Sequence, residues 1–255
     1  MSPPRSVTAV LAGTALALAG APAGAHATST PRADFKLELS RHKPGRATNI
    51  RVHFLYKAKD PEAKPSPLVG LVIRMPRGLR VHNAALPRCG ASDEELRLQG
   101  DAACPPGSRL GGGVLTAMTG FGPPVDPFRT DASIYNTEDG FVEIVKDQNS
   151  GATLGSDRFT IDGRTWTGHP PNTPGGPPDG RTAVREIDFT WAPKAAWAIT
   201  PTRCPKKRRW RATARISYAD GTTVTVPHSV PCRRTASRRP GDVHQHDLTQ
   251  QNGSG

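Results

Sequence analysis

Apolar and polar residues alternate with period two along most of the chain, the pattern of strands that bury one face. Phe35, Leu37 and Leu39 alternate with Lys36, Glu38 and Ser40; Ile50, Val52, Phe54 and Tyr56 alternate with Asn49, Arg51 and His53. Residues 68–75 form an almost continuous apolar run that stops at Pro76, as a central strand would. Residues 133–145 predict a hairpin around Glu138, Asp139 and Gly140, residues 157–168 another around Asp162 and Gly163, and residues 210–232 a third around Asp220 and Gly221. Ile187, Phe189 and Trp191 carry one more alternation. With no convincing helical period anywhere, the expected fold is all-β: a single antiparallel, Ig-like β-sandwich spanning residues 28–232. The 26 Pro and 26 Gly residues agree, since they favour short strands and long loops. The richest such stretch, 168–180, reads as a mobile surface loop or as a break between two smaller sandwiches.

The two ends of the chain have their own patterns. Arg5, an apolar run over 7–19 and the small residues ending in Ala25, His26 and Ala27 have the layout of a secretory signal peptide over residues 1–27. No later apolar stretch approaches the roughly 20 residues of a membrane helix. Residues 233–255 are almost free of apolar side chains and are expected to form a disordered basic and polar tail. In an oxidising compartment four cysteines read as two disulfides. The spacings favour Cys89 with Cys104 and Cys204 with Cys232, and the hairpin over 210–232 returns Cys232 toward Cys204. Zinc is the competing use, but no close Cys-x2-Cys pair is present.

Charge narrows the function classes. The formal net charge is +12, and Lys206, Lys207, Arg208, Arg209 and Arg211 surround Trp210. Arg233, Arg234, Arg238 and Arg239 follow Cys232, so a Cys204–Cys232 bridge would merge the two runs at one edge. Such a patch attracts polyanions, here anionic cell-wall polymers or acidic polysaccharide. The plainer alternative is that the cations keep an edge strand soluble. Sugar binding would instead need exposed rings: Trp191 and Trp210 are expected in the core, leaving Trp166 and Trp197 as candidates.

Catalysis finds little support. There is no Gly-x-Ser-x-Gly elbow, and Asp93, Glu94 and Glu95 read as solvated surface in the Cys89–Cys104 loop. A carbohydrate-active enzyme would require two carboxylates facing each other in a cleft. His53 and His228 lack partners at metal-ligand spacing, and His244 and His246 suit only a weak adventitious metal site; no cofactor is expected. Gly111, Gly112 and Gly113 open a strand and complete no phosphate-binding motif, so they predict a bulge or a close backbone approach. A nucleic-acid role finds no recognisable binding fold.

The stretch from Leu86 to Cys89, the run from Gly100 through Cys104-Pro105-Pro106-Gly107-Ser108 to Gly113, and the Cys204-Pro205, Trp210 and Asp220-Gly221 series form a pattern. It resembles uncharacterised secreted β-sandwich proteins of high-GC Gram-positive bacteria over about residues 35–232. The resemblance implies fold and compartment and no activity. The expectation is a secreted, non-catalytic cell-surface or extracellular binding module.

Overall fold

The computed structural model describes residues 32–193 and 196–233. The expected signal peptide and the tail from Arg234 onward, with Arg238, Arg239, His244 and His246, lie outside the described residues. The strands are β1 (Ala33–Leu39), β2 (Ile50–Tyr56), β3 (Leu68–Arg74), a short β4 (Arg80–Val81), β5 (Arg109–Met118), β6 (Phe128–Asn136) and β7 (Gly140–Asp147). Then follow β8 (Thr153–Asp162), β9 (Thr165–Gly168), β10 (Ala183–Trp191), a short β11 (Ala198–Ile199), β12 (Arg209–Tyr218) and β13 (Thr223–Pro231). The three predicted hairpins are β6–β7, β8–β9 and β12–β13.

Eleven of these strands join one antiparallel sheet in the order β1, β2, β10, β5, β6, β7, β8, β9, β3, β12, β13, while β4 pairs with β11. The last strand returns beside the first, so the sheet curls into a nearly closed barrel. The all-β antiparallel expectation stands; the Ig-like arrangement of two stacked sheets does not describe this hydrogen bonding. Period-two alternation is common to both architectures, because each buries one face of every strand. The segment 168–180 joins two strands of the same sheet.

Eleven strands alternating in direction leave β1 and β13 running the same way, and side chains close the seam between them. Phe35 meets the ring of His228 edge-on at 6.0 Å. Arg32 pairs with Asp220 at 2.8 Å and lies 4.5 Å over the Tyr218 ring. The alternating apolar residues of β1, β2, β10 and β12 point inward with Phe159 and Trp166, filling the lumen. All four tryptophans are buried, Trp166 and Trp197 at 0 and 1 % exposure. The exposed aromatic pair that would mark a sugar platform is therefore not formed.

A second, smaller core lies outside the barrel. Val142 and Ile144 face outward on β7 and are covered by Leu96, Cys89 and Cys104. Leu96 belongs to α1 (Asp93–Gln99), a helix absent from the sequence reading. Its signature was Ser92 followed three residues later by Glu95: each side chain bonds the other residue's backbone N–H, forming a capping box. Asp93, Glu94 and Glu95 are thus its acidic first turn, with Asp93 reaching Arg158 at 2.7 Å and Glu94 reaching Arg97 at 2.6 Å. The Cys89–Cys104 disulfide anchors this cover, with its Cα atoms 4.8 Å apart.

The triple glycine is a close-approach device. A Cβ on Gly111 would sit 1.9 Å from the Thr190 carbonyl oxygen, one on Gly112 2.3 Å from that of Ala132, and one on Gly113 1.9 Å from that of Asp188. β5 can therefore pair with β10 and β6 at once only without side chains there, and its register shifts between Arg109 and Gly111. Gly111→Ala is expected to lower stability by about 2–4 kcal/mol in chemical denaturation, because backbone on the neighbouring strand must move. Gly90→Ala, with open space around the new Cβ, should stay within about 0.5 kcal/mol of the parent.

Candidate functional site

Two surfaces stand out, at opposite ends of the barrel. The first is the base, where β1 and β3 stop and β5 and β12 begin. The Cys204–Cys232 disulfide, with Cα atoms 5.7 Å apart, joins the start of β12 to the end of β13. The Cys232 N–H donates to the Arg208 carbonyl at 2.9 Å. Lys206, Lys207, Arg208, Arg209, Arg211 and Arg233 are all exposed here. Arg234 lies outside the described residues. Arg208 takes a positive φ of 51° in the turn that presents the run.

Tertiary structure adds cations that spacing does not associate with this run. The Arg233 N–H donates to the His42 carbonyl at 2.8 Å, docking the β1–β2 loop. In that loop Thr200 Oγ1 accepts from the Arg46 N–H and donates to the Lys43 carbonyl, which presents Arg41, Lys43 and Arg46 on the same end. Arg80 joins through the pairing of β4 with β11. No Asp or Glu occurs in 39–59, 189–219 or 221–233. Among the described residues, none of these base cations takes part in an ion pair.

The second surface is the mouth, where β2, β5 and β7 end and β6, β8 and β10 begin. A cavity of about 120 Å³ opens there, walled by Leu68, Leu71, Leu115, Phe128, Phe159 and Ile187 among others. Into its apolar wall β7 inserts Glu143, on the inward face between Phe141 and Val145. Asp157 is its cross-strand partner on β8 and lines the same cavity; the Cβ atoms of such partners lie about 5 Å apart. Glu143 is 6 % exposed and forms no side-chain hydrogen bond. Burial pushes its carboxyl well above the usual carboxylate range, and the neighbouring Asp157 pushes it further. Burial also lifts Asp157 to about 7, against the opposing pull of the His169 and Arg158 backbone N–H groups. The Tyr56 hydroxyl is buried without a partner and feels the Glu143 charge.

The mouth is roofed by the Pro/Gly-rich segment that sequence alone left as a mobile loop. Pro170, Pro171, Thr173 and Thr182 contribute to the wall. Lys64 fastens the roof: its side chain is 4 % exposed and donates to the carbonyls of Gly176 and Arg181 and to Asp179 at 3.0, 2.6 and 2.7 Å. Asp126 secures the adjacent β5–β6 loop, accepting from the N–H groups of Thr119, Gly120 and Gly122 and from the Thr119 hydroxyl.

Glu143 and Asp157 bring two carboxyls into one cavity, but as neighbours on adjacent strands, not across a cleft as the carbohydrate-active alternative requires. The surroundings do not suit a sugar, because most of the wall is hydrocarbon. Of the nearby hydroxyls, Thr130 and Thr182 already donate to the carbonyls of Leu115 and Pro174. Period-two reading could have flagged Glu143 as a charge at an inward position of β7. Nothing in the sequence pairs it with Asp157 or encloses the two in a cavity. His53, expected without a metal partner, bonds Glu186 at 2.8 Å on the outer face; among the described residues no cluster of three or more His, Cys, Asp or Glu could hold a metal ion.

The native state binds the carboxyl protons more tightly than the unfolded chain. The stability contributed by Asp157 is therefore full below the ordinary Asp range of about 4 and is lost as pH rises through about 7. The thermal midpoint is expected to fall between about pH 5 and pH 8, and in Asp157→Asn this fall should be smaller, with a higher midpoint than the parent at the alkaline end. Lys64→Met should cost about 2–4 kcal/mol by denaturant titration and speed proteolysis within 169–182, since the carbonyls and Asp179 lose their shared donor.

No family model matches the chain and no curated protein matches it, so the functional reading rests on these two surfaces.

Proposed function

We propose that the chain is an exported, non-catalytic binding module that holds anionic cell-wall polymers or acidic polysaccharide on the cationic base of its barrel. The observation that carries this reading is the convergence of separate segments, the β1–β2 loop, the β11–β12 connection and the end of β13, into one face whose exposed cations form no ion pair among the described residues. Holding like charges together costs stability through mutual repulsion. Solubilising the strand edges would not require docking the β1–β2 loop beside the β12 cations. A polyanion supplies the counter-charges that the protein withholds, at many positions and without a pocket. Two disulfides are compatible with an extracellular location. The similarity to secreted proteins of high-GC Gram-positive bacteria belongs to the same proposal.

The test is co-sedimentation of the purified protein with isolated cell-wall sacculi across a salt series. Binding is expected at low salt and should fade as salt approaches about 0.5 M. Lys206→Glu with Lys207→Glu, and separately Lys43→Glu with Arg46→Glu, should each weaken it by about tenfold. Binding lost only in the first pair would reduce the site to a local basic run, and no binding by the parent at low salt would end the proposal.

A further inference from the structure

The mouth cavity is chemically the reverse of the base. Two carboxyls stand side by side in an apolar wall, and among the described residues no Lys or Arg side chain lines it. Lys64, the buried cation of the roof, is committed to Asp179 and the roof carbonyls. Glu143 is more than nine-tenths buried with no hydrogen bond of its own, and the Tyr56 hydroxyl is also without a partner. Buried polar groups are normally paired, and buried carboxylates normally have a counter-ion. Among the described residues no cation supplies that counter-ion, and the carboxyls instead hold their protons more tightly than free ones do.

Size and wall chemistry say what kind. A cavity of about 120 Å³ is close to apolar cavities of about 150 Å³ that take up a benzene ring. Calcium or magnesium would bring waters in its coordination shell, and a wall that is mostly hydrocarbon offers those waters few partners. Phe128 and Phe159 line the space, and Phe159 stacks on Phe141 at 4.7 Å, so aromatic rings are present for a positive group. Leu154 lines the cavity and is 48 % exposed, continuing the apolar surface to the outside. We propose that the barrel mouth is a binding site for a small organic monocation, an ammonium group on a hydrocarbon body about the size of one aromatic ring. The ammonium sits between Glu143 and Asp157 and the body fills the space walled by Leu71, Leu115, Phe159 and Ile187. This site is independent of the base, which repels the same ligand.

The groups governing its pH dependence are Glu143 on β7, Asp157 on β8, and the hydroxyls of Tyr56 on β2 and Tyr218 on β12. The phenols stay neutral across the working range, so inside the cavity the carboxyl pair carries the change of charge; His169, whose backbone N–H donates to Asp157, is exposed. The buried carboxyls hold their protons more tightly than free carboxyls do, and the arriving cation stabilises the charged form. Binding therefore strengthens as pH rises and releases protons below and near neutrality.

The experiment is isothermal titration calorimetry of the purified chain with benzylamine, benzyl alcohol and benzoate, at about pH 5.5 and about pH 8 and in two buffers of different ionisation enthalpy. Benzylamine is expected to bind at least about tenfold more tightly than benzyl alcohol at the higher pH, and at least about tenfold more tightly there than at the lower pH. Proton release should appear as a buffer-dependent heat, and benzoate should not bind. Glu143→Gln and Asp157→Asn should remove the preference for the amine over the alcohol. Should either variant fail to fold, the ligand and pH series on the parent protein decide by themselves. Equal affinity for amine and alcohol, indifference to pH, or no binding of any probe would each overturn the proposal.

Discussion

A sheet of eleven strands that curls back on itself encloses more space than its backbone can fill. Eight strands make a lumen that ordinary side chains just occupy, and each added strand widens it. The inward positions answer with large rings, from Phe35, Phe54 and Tyr56 to Phe141, Trp166, Trp191 and Trp210. Phe141, Trp166 and Trp191 meet edge to face with centroids 5.4 to 5.6 Å apart, a geometry that fills space better than parallel stacks would. At the mouth the rings leave a cavity of about 120 Å³ unfilled, and Glu143 and Asp157 open into it.

The same closure separates the two charge environments. Alternation of direction around the barrel puts one set of loops at each end. At the base the β1–β2 loop and the segments leading into β12 and out of β13 carry no acidic residue, and the acids of that end, Glu138, Asp139 and Asp162, sit in the β6–β7 and β8–β9 hairpins. At the mouth Lys64 is spent on the roof, and among the described residues the buried carboxyls form no ion pair. A cationic face and an anionic cavity thus coexist on one small barrel, far enough apart in the topology that neither neutralises the other. The proposed envelope contact and the proposed monocation site follow from this segregation.

How much was legible depended on the range of the interaction. The strands and hairpins were readable because alternation and Asp-Gly turns are local. The disulfides were readable because their partners lie near in sequence or at the open end of a hairpin. The capping box at Ser92 and Glu95 was local as well, yet a seven-residue helix carries too short a period to stand out. Burial of Trp166 and Trp197 was not readable, since a ring beside a turn is covered or bare according to what the rest of the chain places over it.

By itself the sequence determined an all-β chain with two local disulfides, a cationic run around Trp210 and three glycines that demand close strand approach, all set by neighbours along the chain. Only the tertiary structure decided that the strands close into a barrel instead of stacking as two sheets, because strand order depends on pairings such as β2 with β10 and β3 with β12 that no local pattern encodes. It also brought the 40–49 loop to the basic run and set Glu143 opposite Asp157 inside a cavity. The reason is the same in each case: burial and electrostatic shifts depend on what lies across space, and the residues responsible are tens of positions away in the chain.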